Sequence, residues 1–384
     1  MSPAPVILKG ITWNHTRGYV PMVATAQRFS EIHPGIEVQW SKRSLLDFGE
    51  ISVETLALRF DLLVIDHPSI GFAAESSLFH PLDELLDSAF LLHQEDSAGP
   101  SHRSYQWKGR QWALAIDAAC PVAHWRQDLL DEHRIPVPRT WEEVLALTKE
   151  GKVMAPFIHT DALHHFFMFC HALGAEPFAS EQSWIDPEVA QAALEECRKL
   201  AQVLPKECLA MNPILTLEAL ARGDAWYCPA AFGYSNYSRP GYASRLITSG
   251  ETVSRDSLPL KTTLGGAGLA ISASCKHPEW ASRYAAFTAS PDTQRGIYFS
   301  SGGQPAHRSA WVDPEVNGAS ANFFSSTLPT IQNSWLRPRY NGYMHFQDHS
   351  AHIVHQVTCG DLSSAEGLAQ LDSLYRRSLG GAVG

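Results

Sequence analysis

Trp13-Asn14-His15-Thr16-Arg17 places an aromatic face, an amide, an imidazole and a guanidinium directly after an apolar run. Aromatic faces cover C–H surface, amides pair with hydroxyls, and a guanidinium takes a carboxylate bidentately, so this set can hold a polyol or an acid. Asp66-His67 closes a second apolar run, Leu62-Leu63-Val64-Ile65, and its carboxylate can accept from a hydroxyl or an ammonium group. Phe232-Gly233-Tyr234-Ser235-Asn236-Tyr237 is a third cluster of rings and amides, while Arg337, Arg339 and Tyr340 could clamp a carboxylate, with Arg17 as a further cation. Asp117 and Trp125 stand between these groups in the sequence, and Gly302, Gly303 and Gln304 offer backbone that a ligand can approach closely. Plainer readings stay open beside each: ring packing for Trp13 and His15, a helix cap for Asp66, a tight turn for Gly303 and Gln304, and a solvated basic stretch for Arg337 and Tyr340.

Bond-making chemistry is poorly served. The nucleophile elbow G-x-S-x-G, the phosphate loop G-x-x-x-x-G-K-[ST] and a strand-to-helix G-x-G-x-x-G are not found in full, and Gly265-Gly266-Ala267-Gly268 leads into a strand pattern instead. His345, His349 and His352 stand at i, i+4 and i+7, a spacing that on a helix could hold zinc; His164, His165 and His171 form a weaker set beside Cys170. Neither carries H-E-x-x-H, and packed or surface histidines account for both. The expectation is a protein with no catalytic residue, no metal and no cofactor.

The elements that must position these residues begin as β-α-β-α-β. Residues 6 to 11 read as a buried strand, a helical pattern through Val23, Ala26, Gln27 and Phe29 leads to Pro34-Gly35, and residues 36 to 40 read as a second strand. A helix-like segment over 45 to 58 precedes the strand 62 to 65. Such units are right-handed and give a mostly parallel sheet, with ligands collecting beyond the carboxyl ends of the strands. Residues 13 to 18 and 66 to 68 lie there. Further on, Thr140-Trp141-Glu142-Glu143 is a capping box, Asp186-Pro187 is an N-cap followed by a first-turn proline, and Val189, Ala193, Cys197 and Leu200 share one helical face. Pro278 opens a helix carrying Trp280, Tyr284 and Phe287. A closing helical region, 343 to 379, breaks near Gly360-Asp361, with Ser363 or Ser364 as the next N-cap.

A chain of 384 residues, 45% hydrophobic and 18% charged, is long enough for two separately cored lobes. Lys and Arg number 30 against 40 Asp and Glu, a net charge of −10, which is the wrong sign for nucleic acid or anionic lipid. No apolar run is long enough to span a membrane, and the first residues lack the basic and apolar regions of an export signal. Seven cysteines, an odd number without C-x-x-C, point to buried thiols in a reducing compartment.

Six segments taken in order resemble the family 1 extracellular solute-binding proteins, the group that includes maltose- and other sugar-binding proteins, over nearly the whole chain. They are 29 to 40 (FSEIHPGIEVQW), 60 to 86 with its Pro81-Leu82-Asp83-Glu84-Leu85-Leu86 ending, 105 to 130 (YQWKGRQWALAIDAACPVAHWRQDLL), Pro138-Arg139-Thr140-Trp141-Glu142-Glu143, 264 to 272, and Ser301-Gly302-Gly303-Gln304-Pro305-Ala306. The resemblance implies a two-lobed α/β fold of the periplasmic-binding-protein type (type II), each lobe a mostly parallel sheet flanked by helices, with a ligand cleft between them. It places one lobe at 1–113 plus 262–310 and the other at 114–261 plus 311–384, with Phe232, Tyr234 and Asn236 lining the second lobe's side of the cleft. It also implies a monomer that closes by a hinge on a small polar solute, a sugar, polyol or small carboxylate, and delivers it in the periplasm to the permease subunits of an ABC importer. The sequence departs from the family in showing no export signal, which leaves a cytoplasmic ligand sensor or enzyme on the same fold as the alternative.

Overall fold

The computed structural model describes residues 5–44, 52–180 and 183–380. Of the helix expected over 45 to 58, Val53–Ala57 is observed, and 45–51 lie outside the described residues. The chain divides into two compact units, Met1–Ala119 with Gly265–Gly318 and Arg339–Asn341, and Cys120–Leu264 with Ala319–Pro338 and Gly342–Gly384.

The first unit is built on a five-stranded sheet whose spatial order is Ile36–Arg43, Val6–Trp13, Leu62–Ile65, Gly265–Ile271, Ala113–Ala119. Sequence pattern follows position in the sheet: Leu62–Ile65, an inner strand, is buried at every residue, whereas the edge strand Ile36–Arg43 largely alternates buried and exposed. The first three strands pair in parallel, as the β-α-β-α-β reading requires. Gly265–Ile271 runs against both its neighbours, so the sheet is mixed rather than mostly parallel. Its pairing with Ala113–Ala119 draws 114–119 into this unit, past the boundary drawn at 113, and 311–318 belong here as well.

Helix Thr16–Ile32 packs Met22, Ala26 and Phe29 into the core with Trp40 and Tyr284, the latter on helix Pro278–Ala289. The Tyr284 hydroxyl accepts from Trp40 Nε1 at 3.0 Å and lies 2.9 Å from Thr25 Oγ1, which satisfies its polar end inside an apolar cluster. Gly10 is required where strand meets ring: a Cβ there would sit 2.7 Å from the Trp40 indole.

The second unit corrects the expectation of a parallel sheet in each lobe. Its sheet has three strands, Tyr227–Phe232, Pro121–Trp125 and Thr248–Gly250 in that order, and both pairings are antiparallel. Helices dominate instead. Thr140 and Glu143 form the capping box of Trp141–Lys149, Asp186 caps Pro187–Val203 through two backbone N–H groups, and Ser363 caps Ser364–Ser378 after Tyr343–Cys359 ends at Gly360 in the left-handed region. At their centre, His159–Ala172 is buried continuously from Asp161 to Cys170, because Pro187–Val203 and Tyr343–Cys359 both pack on it. Cys120, Cys170, Cys197, Cys208, Cys228 and Cys275 are buried free thiols, and Cys359 is an exposed one.

One buried side chain fastens the three strands together. His124, 1% exposed on the central strand, lies 2.8 Å from Ser249 Oγ through Nδ1 and 3.1 Å from the Ala231 carbonyl through Nε2, so it reaches both flanking strands. Burial lowers its pKa to about 4, which keeps it neutral near pH 7. His124→Ala leaves both partners buried without it and is expected to cost about 2–4 kcal/mol of stability, read as a lower urea midpoint; an unmoved midpoint would show that the imidazole is not a fastening.

Candidate functional site

In the first unit the strand registers bring several of the chosen residues to one sheet edge. Trp13 ends a strand, Asp66 follows Ile65 at the end of a parallel strand, and the antiparallel Gly265–Ile271 turns the carboxyl end of Ala113–Ala119 to the same side. Trp13–Arg17, Asp66–His67 and Asp117 therefore share the edge at which such sheets bind ligands.

The geometry assigns much of this set to holding the edge together. Arg17 Nε donates to Asp117 Oδ2 at 2.7 Å and Nη2 closes a second bond to Oδ1, a bidentate pair with both side chains at or below 5% exposure. Burial pushes the Asp117 carboxyl up, opposed by the Arg17 guanidinium. His15 is the N-cap of Thr16–Ile32, its Nδ1 accepting from Arg17 N at 3.0 Å, and burial followed by the Arg17 charge lowers its pKa to about 4. Trp13 is buried in the core with its ring against Gly18, and Asn14 is exposed.

Asp66 accepts from His67 N at 2.9 Å and caps the turn His67–Ser69, with its side chain 31% exposed. His67 is fully buried, edge-on to Tyr105. Gln304 Nε2 donates to the Ala118 carbonyl at 2.8 Å, and a Cβ on Gly303 would come within 2.6 Å of the Tyr298 carbonyl oxygen, so both residues have a packing reason for their identity. Tyr340 is half-buried in the segment 339–341. That segment is anchored by Arg339, whose Nη1 donates to the carbonyls of Arg103, Ser104 and Gln106 at 2.8, 3.2 and 2.7 Å.

The second unit does not gather its candidates in the same way. Pro121 pairs with Phe232 and Trp125 with Tyr227, so Phe232 and Trp125 stand at opposite ends of the sheet. Trp125 stacks on Tyr227 and donates to Gln127 Oε1 at 2.6 Å. Tyr234 belongs to an apolar cluster with Leu217, Leu220, Tyr237 and Ile247; Asn236 is buried in the turn Ser235–Ser238. Arg337, 3% exposed, donates to Gln347 Oε1 at 2.8 Å.

Phe232 lines a pocket, together with Pro121, Thr262, His164, Met168 and Asp161. Asp161, His164, His165 and Met168 come from one face of His159–Ala172 at i, i+3, i+4 and i+7. Asp161 was not singled out from the sequence. The signal available there was a lone acid in the apolar helix DALHHFFMFC. Burial pushes its carboxyl up to about 8. Among the described residues no group of three or more His, Cys, Asp or Glu is placed to hold a metal ion; the His345 and His349 rings meet tilted by 40°, and His352 stacks on His159. Among the same residues no helix is long and apolar enough to cross a membrane.

A family profile described as bacterial extracellular solute-binding protein matches residues 24–322. No curated protein sequence matches the chain. Solved structures with the same fold include maltose-bound MalE3 of T. maritima, at 18% identity and a TM-score of 0.85, over 97% of this chain and 100% of that one. An ABC transporter solute-binding protein of Agrobacterium radiobacter K84 in complex with ribitol gives 18% identity and 0.84, over 97% and 99%. The GacH receptor of Streptomyces glaucescens, solved unliganded and with acarbose, gives 14% and 0.82, over 98% and 99%. These likenesses establish a two-lobed binding-protein fold.

Two substitutions test the electrostatics. Arg17→Met strands the Asp117 carboxylate in the interior and is expected to lower stability by about 3–5 kcal/mol in chemical denaturation; a loss below about 1 kcal/mol would mean that the pair is not a buried contact in solution. For Asp161, the unfolded chain releases its proton near pH 3.9 while the folded chain keeps it to about pH 8, so stability falls as pH rises through that window. Asp161→Asn removes this loss, and its gain in Tm over the parent is expected to be larger at pH 8 than at pH 5; equal gains at both would place the carboxyl in water.

Proposed function

The chain belongs to the bacterial extracellular solute-binding protein family, and on that premise we propose that it captures a small polyhydroxylated solute, a sugar or polyol, and passes it intact to the permease of an ABC importer. The observation that carries the reading is the common sheet edge of the first unit, where the strand registers set the exposed Asn14 and the partly exposed Asp66 at the same end of the sheet. Relatives of the same fold solved with maltose, ribitol and acarbose support a ligand rich in hydroxyls.

Charge separates this class from the carboxylates. Arg17 is engaged by Asp117, Arg337 by Gln347 and Arg339 by three carbonyls, so each guanidinium has a partner within the protein. An anion would have to share a guanidinium whose charge is already engaged inside the protein, whereas hydroxyls can share lone pairs and N–H groups already in place. Ligand-dependent closure of the two units is part of the proposal: a solute that touches both favours the closed form by its difference in affinity between closed and open states. The site of action in this reading is the periplasm or the cell exterior, with a single chain as the working form. The free thiols favour a second reading, a cytoplasmic ligand sensor on the same fold.

A thermal-shift screen of sugars, polyols, small carboxylates and amino acids tests the proposal. A sugar or polyol is expected to stabilise the chain, by about 2.7 kcal/mol at a hundred times its Kd, and to be recovered chemically unchanged by mass spectrometry. Stabilisation by carboxylates alone, or recovery of an altered compound, would overturn it.

A further inference from the structure

The pocket of the second unit contains a carboxyl that the fold does not explain. Asp161 stands in the first turn of His159–Ala172, a helix covered on every side from Asp161 to Cys170, and its side chain is removed from water among Pro121, Pro156, Met168, Ala230, Ala231 and Phe232. Among the described residues no hydrogen bond or cation meets it, and burial alone raises its pKa. The neighbouring His165 is already committed, its Nε2 donating to the Pro156 carbonyl at 3.0 Å while its ring stacks on Phe157. A buried carboxyl without a partner costs free energy that selection has no structural reason to keep, since any apolar residue of similar size would serve the helix better.

We propose that Asp161 is the group through which the second unit reads its ligand, taking a single hydroxyl of a sugar or polyol inserted beside Phe232. This rests on the sugar or polyol reading of function and deepens it. Three features fit a hydroxyl. The pocket is of a size to take roughly one water-sized group. Phe232 supplies an aromatic face for the adjoining C–H surface. The lining offers no cation, so the carboxyl serves best in its neutral form, its O–H donating to the ligand oxygen and its C=O accepting from the ligand O–H. Burial holds it in that form near pH 7.

The pocket also adjoins the points at which the chain enters and leaves this unit. Pro121 follows Cys120, Thr262 lies just before Leu264, and Thr262 Oγ1 donates to the Pro121 carbonyl at 2.8 Å. A hydroxyl held by Asp161 therefore shares its pocket with Pro121 and Thr262.

Other titratable groups face Asp161. His164 and His165 share its helix face, and the Cys228 thiol, pushed up by burial, interacts with it from the strand Tyr227–Phe232. All of them survive in Asp161→Asn, so that variant isolates the carboxyl. Calorimetric titration of the full chain with ribitol and with maltose from pH 6.5 to 9.5, with Tm recorded alongside, tests the assignment. Affinity for the probe that binds is expected to be level below about pH 8 and to fall by up to about tenfold per pH unit above it. Asp161→Asn, whose amide keeps a donor and an acceptor, is expected to bind within about tenfold of the parent at pH 7 with a flat profile; Asp161→Leu is expected to lose about thirtyfold or more without a lower Tm. Affinity that rises with pH, a parental profile in Asp161→Asn, or parental binding by Asp161→Leu overturns the proposal while leaving the sugar or polyol reading intact. Should Asp161→Leu not fold, the Asp161→Asn profile decides alone. Parent protein that binds neither probe removes the sugar or polyol reading and this assignment with it.

Discussion

The first unit's candidate edge depends on the strand Gly265–Ile271, which lies between Leu62–Ile65 and Ala113–Ala119, runs against both, and so sets their carboxyl ends on one side. The two reversals cancel, so Ala113–Ala119 points the same way as Leu62–Ile65 and Asp117, near its carboxyl end, comes to the side of Ile65, where Arg17 meets it. Glycine makes the insertion feasible. Gly266 has φ +106°, where a side chain is strained, and its missing Cβ leaves room for Ala118 Cα, which a Cβ would approach to 2.8 Å. Gly268 leaves room for the Tyr105 ring, beside a register shift between Ala267 and Gly268. The Arg17–Asp117 pair then ties the far strand to helix Thr16–Ile32 across the sheet, so edge and helix are positioned by one buried ion pair.

Desolvation plays a different part in the second unit. Its sheet is too small to cover much surface, and His159–Ala172 takes over as the element around which the others pack. A helix buried on all faces removes water from everything it carries. His165 answers by bonding to Pro156, whereas Asp161 answers by keeping its proton. The same physics keeps His124 neutral between two strands, where neutrality is what allows one ring nitrogen to donate and the other to accept.

Local signals were legible in the sequence and directions were not. The capping box at Thr140, the Asp186-Pro187 start, the Pro278 start and the break at Gly360 each depend on neighbouring residues, and each is found where the pattern placed it. An apolar strand says nothing about which way its partner runs, because both faces are covered in either case; hence the antiparallel pairings came as corrections. On sequence grounds Asp66 lay between ligand contact and helix cap and His15 between ligand contact and packing, and the structure shows both capping. The Arg17–Asp117 pair spans 100 residues, beyond any spacing argument. Asp161 escaped notice for the opposite reason: its helix was legible, but an acid on an apolar helix looks like a solvated position until the packing of two further helices shows that no solvated face remains.

On the proposed reading, the charges within each unit favour an uncharged guest. A carboxylate brought to the first unit's edge would meet Arg17 already neutralised by Asp117, and in the second unit it would meet an acid with no cation near it. An ammonium would draw the proton from Asp161 and recover part of the cost, yet it would give up its own hydration in a pocket whose remaining lining is apolar or imidazole. A hydroxyl incurs neither penalty, since it donates and accepts without carrying charge out of water. Discrimination of this kind comes less from attraction to the right solute than from the desolvation that charged competitors cannot recover.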